Sequence, residues 1–144
     1  MKLNRHSVQK IGEYLVAAEC FKRGWEAPIT SGTTENYDII VHDPVTDRYT
    51  AIEVKTRQCS QKMTPPDCDT KLPEKTLYPI VFVTYNRKVD KARFFIIPVK
   101  EILSRQRTIE PGYEIKHPAW KNKWWIEPED FIEFENRWEL MWSE

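Results

Sequence analysis

The chain has 144 residues, 40% of them hydrophobic and 12% aromatic, and its 22 basic residues balance 22 acidic ones. That length suits one domain with a sizeable core, and the composition is that of a globular chain, not a disordered one. No run of 18 or more apolar residues exists, so no membrane span is expected, and three cysteines without a Cys-x-x-Cys pair indicate neither a disulfide framework nor a zinc site.

The first expected element is a helix from Ser7 to Arg23, with Ser7 as N-cap and Gly24 as the stop. On a helical wheel Ile11, Tyr14, Leu15, Ala17, Ala18, Cys20 and Phe21 cover one wide apolar arc, and Glu19 and Arg23 fall outside it. Glu13 lies inside the arc, between Ala17 and Cys20. A carboxylate is rarely buried without a partner or a metal, so Glu13 is expected to face positive charge: a metal site, or a Lys or Arg at the sheet edge. Glu13 and Glu19 also break the apolar stretch that follows the basic N-terminus, which argues against a signal peptide and for a cytoplasmic protein.

Two apolar runs, Tyr37 to Val41 and Ala51 to Lys55, flank His42-Asp43-Pro44-Val45-Thr46-Asp47-Arg48. Pro presets φ and Asp side chains bond nearby backbone in such a segment, so the runs read as an antiparallel hairpin. A hairpin symmetric about the midpoint between Val45 and Thr46 sets Ile40 opposite Ala51 and Asp38 opposite Glu53. Opposed carboxylates would have Cβ atoms about 5 Å apart and would repel. A divalent cation compensates such a pair, since Mg²⁺ takes oxygen ligands from one or two carboxylates and keeps several waters. Side chains alternate along a strand, so Lys55 shares a face with Glu53 about 6.6 Å away. His42 falls on the face of Asp38 and Ile40.

An acid on one strand and a Glu-x-Lys triplet on the next resemble the PD-(D/E)XK nuclease superfamily, the matching residues being Asp38 and Glu53-Val54-Lys55. The resemblance implies a restriction-endonuclease-like α/β fold, a mixed sheet flanked by helices in which the N-terminal helix precedes the catalytic hairpin. It also implies hydrolysis of nucleic-acid phosphodiesters with Mg²⁺ or Mn²⁺, with Asp38 and Glu53 as metal ligands, Lys55 near the attacking water, and Glu13 reaching the same site from the helix. Over residues 7 to 58 the likeness is nearest to archaeal-type Holliday junction resolvases, through Gly24-Trp25, the loop Ser31-Gly32 and Glu53-Val54-Lys55-Thr56-Arg57. Two departures stand out: Tyr37 replaces the Pro that often precedes the first Asp, and the stretch after Arg57 is rich in Pro, Gln, Thr and Cys where a resolvase has a helix.

Beyond that stretch, Tyr78 to Tyr85 is a nearly continuous apolar run, as a strand buried on both faces would be. A turn over Asn86 to Asp90, a strand from Ala92 to Pro98 and a short helix to about Arg107 follow, completing an open α/β sheet. The tail from Pro111 holds five of the six tryptophans. Glu127-Pro128-Glu129-Asp130 reads as a helix start. Phe131, Phe134, Trp138 and Met141 would then form one apolar face. Residues 109–144 are thus expected as a Trp-rich acidic extension packed on a single domain spanning 1–144, with a homodimer surface or base stacking of single strands as the alternatives.

Charge is unevenly spread. Residues 1–53 carry 6 Lys and Arg against 8 Asp and Glu, residues 54–108 carry 12 against 5, and residues 109–144 carry 4 against 9. A basic middle beside the acidic site suits a phosphate-tracking groove, with Ser31, Arg57, Lys62, Lys71 and Lys75 as candidate contacts to nucleic acid, DNA before RNA. The rival readings are a non-catalytic nucleic-acid or protein-binding module on the same fold and a structural protein.

Overall fold

The computed structural model describes residues 3–30, 37–59, 78–101 and 132–143. Helix α1 spans Arg5–Lys22. It starts two residues before the expected position because Asn4, not Ser7, is the N-cap: the Asn4 side chain accepts the Ser7 N–H at 2.8 Å. A short polar side chain at that position satisfies a donor the helix cannot. Gly24, at φ 80°, ends the helix as expected.

The roll of α1 differs from the expected arc. Its buried residues are Gly12, Glu13, Val16, Ala17 and Cys20, whereas Tyr14 and Phe21 are 65% and 58% exposed. Gly12 explains the difference. A Cβ built there would lie 1.7 Å from Thr56 Oγ1, so α1 seats its glycine directly on the sheet. The larger apolar residues 90° or more away around the helix are thereby turned outward.

The sheet has the order β1 (Ile39–Asp43), β2 (Arg48–Cys59), β3 (Ile80–Asn86), β4 (Lys91–Ile97). Pairing is antiparallel, parallel and antiparallel in turn, which makes a mixed sheet. The β1–β2 register, from Ile39 with Ile52 to Asp43 with Arg48, is the one expected from the symmetric hairpin. Asp43 holds the turn, accepting the Val45 N–H at 3.0 Å and the Thr46 hydroxyl at 2.7 Å, and Asp47 takes a positive φ.

One face of the sheet packs against α1, where Val16, Ala17 and Cys20 meet Ile39, Val41, Ile52, Val54, Val81, Val83, Phe94 and Ile96. Burial pushes the Cys20 thiol up to about 12, so it behaves as an inert apolar group. The other face holds Ile80, Phe82, Phe95, Ile97 and Phe134. β3 is therefore buried on both faces, as its continuous apolar run requires.

The C-terminal part departs from the expected single helix. Short 3-10 turns, the second over Trp138–Trp142, flank Glu135 and Asn136. Glu135 forms a bridge with Phe95 and a two-pronged ion pair with Arg93, both bonds 2.8 Å, while Asn136 adopts φ 56° and donates its N–H to the Phe94 carbonyl. The segment thus crosses the β4 edge. Phe134 enters one core face, whereas Trp138 and Met141 enter the other. Trp138 lies under the Arg23 guanidinium, Trp142 under that of Arg48, and Trp142 meets Trp25 edge-on at 5.3 Å. Three of the chain's regions are tied together by this cap. The expected helix start at 127–130, residues Ser31, Lys62, Lys71 and Lys75, and the far end of the helix after Pro98 lie outside the described residues. No helix among the described residues is long and apolar enough to cross a membrane.

Candidate active site

The site arises because β2 has twelve residues and β1 only five. The β1–β2 ladder ends at Ile39 and Ile52, and there the chain bends. The Asp38 N–H goes to the Ile52 carbonyl at 2.8 Å, not to Glu53. This leaves the Val54 peptide groups, which a longer β1 would have paired, in need of partners. Two side chains supply them. Asp38 Oδ2 accepts the Val54 N–H at 2.7 Å, and Gln9 Nε2 donates to the Val54 carbonyl at 2.7 Å.

The expected opposition of Asp38 and Glu53 is thus modified at its last step. The Asp38 carboxylate sits just before β1 on the Val54 N–H, within electrostatic range of Glu13, Glu53 and Lys55. The charges feel one another. Burial pushes the Asp38 carboxyl above its ordinary value; the Val54 N–H opposes that, Glu13 and Glu53 push further in the same direction, and Lys55 opposes.

Glu13 is buried, 4% exposed, and has two partners on its own helix: Lys10 Nζ at 2.8 Å and Gln9 Nε2 at 3.2 Å. One of the two kinds of partner expected for it, a basic side chain, is present, and it comes from α1 and not from a strand. Lys55 Nζ pairs with Glu53 Oε1 at 2.5 Å. Gln9 and Lys10 were not singled out by sequence. The signal was available, since residues three and four positions before Glu13 on a helix share its face.

Arg57 follows Lys55 on the same face of β2 and is exposed. Arg87 and Lys88 lie in the turn between β3 and β4, and Lys91 opens β4. His42 serves a different cluster: its ring stacks on Tyr49 at 4.1 Å, with Nδ1 3.1 Å from Glu26 and Nε2 3.0 Å from Asp47. Hydrogen bonds to Glu26 and then Asp47 raise the imidazole above its ordinary 6.5. Because the folded value is the higher one, this cluster contributes stability fully below pH 6.5 and loses it as pH rises through the raised value. An NMR titration of the His42 ring is expected to show the raised midpoint. Glu26→Gln and Asp47→Asn should each lower it, and an unchanged midpoint in both would disprove the cluster's role.

Among the described residues no three His, Cys, Asp or Glu side chains are grouped so as to hold a metal between them. The donor chemistry nevertheless suits Mg²⁺, which needs only one or two carboxylates and completes its shell with water and substrate phosphate. Asp38 and Glu53 are two such carboxylates, and Glu13 lies near enough to Asp38 to act on it electrostatically.

A mixed four-stranded sheet with this helix ahead of the hairpin is an α/β fold. The solved structure of a bacterial homing endonuclease, I-Ssp6803I, is similar to it with a TM-score of 0.60, over 96% of this chain and 91% of that one, at 16% sequence identity. No family model matches the sequence, and no curated protein does.

Proposed function

We propose that the protein is a metal-dependent endonuclease of the PD-(D/E)XK type that hydrolyses phosphodiester bonds of nucleic acid, DNA before RNA. The observation that carries this reading is the junction at Val54, where Asp38, Glu53, Lys55 and Glu13 converge in electrostatic range of one another on a fold like that of a homing endonuclease. Three carboxylates against two lysines leave the junction one negative charge in excess, which a divalent cation would neutralise.

Asp38 and Glu53 would hold Mg²⁺ or Mn²⁺. When bound, that ion supplies Lewis acidity to the phosphate and lowers the pKa of water at the site. Lys55 stands beside Glu53, where its ammonium meets the charge that grows on the phosphate during attack. Arg57 and the Arg87, Lys88 and Lys91 turn continue positive charge away from the site and suit phosphates flanking the cut. The exposed Tyr14 and Phe21 on α1 leave room for a homodimer.

The test is nicking of plasmid, single strands and branched junctions with Mg²⁺ and with Mn²⁺. Wild type is expected to cut at least one of them. Lys55→Ala should keep its Mn²⁺ and nucleic-acid affinity and lose about 100-fold in cleavage rate, because it removes a charge that matters mainly in the transition state. If wild type cuts nothing, the enzyme reading must be given up in favour of a binding module. If Lys55→Ala cuts at the wild-type rate, the role of Lys55 must be.

A further inference from the structure

We infer that Gln9 is a positioning residue of this site, setting Glu13 and the Glu53-Val54-Lys55 strand in one frame; the inference rests on the metal-dependent nuclease reading. An amide nitrogen carries two N–H groups. Gln9 uses Nε2 for two acceptors, the Val54 carbonyl at 2.7 Å and Glu13 Oε1 at 3.2 Å. The Val54 N–H in turn donates to Asp38 Oδ2 at 2.7 Å. A single hydrogen-bonded chain therefore runs from Glu13 through Gln9 and the Val54 peptide to Asp38, across the strand that bears Glu53 and Lys55.

Geometry makes the chain specific to glutamine. The seat of Gly12 on Thr56 fixes the distance of α1 from β2, and at that distance the side chain at position 9 spans the gap. Asparagine is one methylene shorter. Glutamate matches the length, but its ionised carboxylate would present lone pairs to both acceptors, which have no proton to give. Lys10 cannot substitute, since its ammonium is already on Glu13 Oε2 at 2.8 Å.

A strand-edge amide with a purely structural task would satisfy the Val54 carbonyl and do nothing more. The two roles separate in their response to metal. Groups that orient metal ligands lose about tenfold or more in affinity or activity when removed. Gln9→Met keeps the length and packing of the side chain and abolishes both hydrogen bonds.

The experiment measures Mn²⁺ affinity by calorimetry, kcat and KM for the nucleic acid that wild type cuts, and thermal unfolding, for wild type, Gln9→Met and Gln9→Glu. Expected are a Mn²⁺ affinity and a kcat each down about tenfold or more in both variants, with KM for nucleic acid unchanged. In wild type, Mn²⁺ should also broaden the NMR signals of the Gln9 side-chain amide. Mn²⁺ binding and cutting by wild type, together with unchanged affinity and kcat in a folded Gln9→Met, overturns the inference alone. If neither variant folds, the amide signals decide: broadening supports the inference, and sharp signals at saturating Mn²⁺ overturn it. A wild type that binds no Mn²⁺ overturns the nuclease reading first, and this inference with it.

Discussion

Asp38→Asn is expected to fold as well as the parent protein, or better, and to lose at least about a thousandfold in metal-dependent cutting. Losing a single electrostatic contact to a transition state costs about 10² to 10³ in rate, and Asp38 is one of only two proposed protein ligands, so the ion is lost with it. Stability should move the other way. Burial, Glu13 and Glu53 all disfavour the ionised carboxylate, and a neutral amide oxygen still accepts the Val54 N–H that Asp38 Oδ2 accepts now. Activity and stability are in tension at such a position. Asp38→Ala is a poorer probe, because it leaves the Val54 N–H without its acceptor at a cost of about 1 to 3 kcal/mol. Glu53→Gln should match Asp38→Asn in lost cutting. Calorimetric Mn²⁺ titration and a plasmid-nicking assay, run beside thermal melts, check both. A Mn²⁺ affinity equal to wild type in Asp38→Asn would remove this aspartate from the metal site.

Gly12→Ala should be the most damaging single methyl in the described part of the chain. The added Cβ would meet Thr56 at 1.7 Å from Oγ1, 2.8 Å from Cβ and 2.9 Å from Cγ2. No rotation of the threonine clears all three, so α1 must lift from β2. Overpacking of this kind costs about 1 to 3 kcal/mol and occasionally more; alanine's better helix propensity returns about 1 kcal/mol of it. A net loss of about 2 kcal/mol lowers the melting midpoint by roughly 4 to 8 °C in a domain of this size. Lifting α1 also pulls Gln9 from the Val54 carbonyl and Glu13 from Asp38. Metal affinity should therefore fall along with stability. Thr56→Ala introduced with Gly12→Ala relieves only the Oγ1 and Cγ2 contacts and should restore part of the loss. Denaturant melts of the three proteins test the order, and a Gly12→Ala variant as stable as wild type would refute the close seat of the helix.

Local pattern carried much of this architecture. The hairpin register was legible because the turn residues and the period-2 alternation agree, and an error of one residue would have turned Ile39, Val41, Ile52 and Val54 out of the core. The buried β3 run was legible from its composition, and the acid at position 13 from its place among apolar residues. Helix roll was not. Wheel reasoning weights large apolar side chains, whereas the packing of α1 is decided by the residue with no side chain at all. The C-terminal apolar spacing misled for a related reason: Phe134, Trp138 and Met141 are all buried, but on two faces of a sheet, and periodicity cannot separate one helix face from a chain that crosses an edge.

By itself, then, the sequence determined which residue types stand at which strand positions: Asp38 at the entry to one strand, Glu53 and Lys55 sharing a face of the next, and an acid buried on the first helix. These follow from alternation and turn chemistry, which act between neighbours in the chain. Only the tertiary structure decided how these groups meet. The end of β1 at Ile39, a consequence of where the chain bends, exposes the Val54 peptide. The unsatisfied backbone then draws the Asp38 carboxylate to one side and the Gln9 amide to the other. A buried backbone polar group must find a partner, and which side chain answers depends on what the fold brings within about 3 Å, a distance set for Gln9 and Val54, 45 residues apart in the chain, by the packing of a helix on a strand.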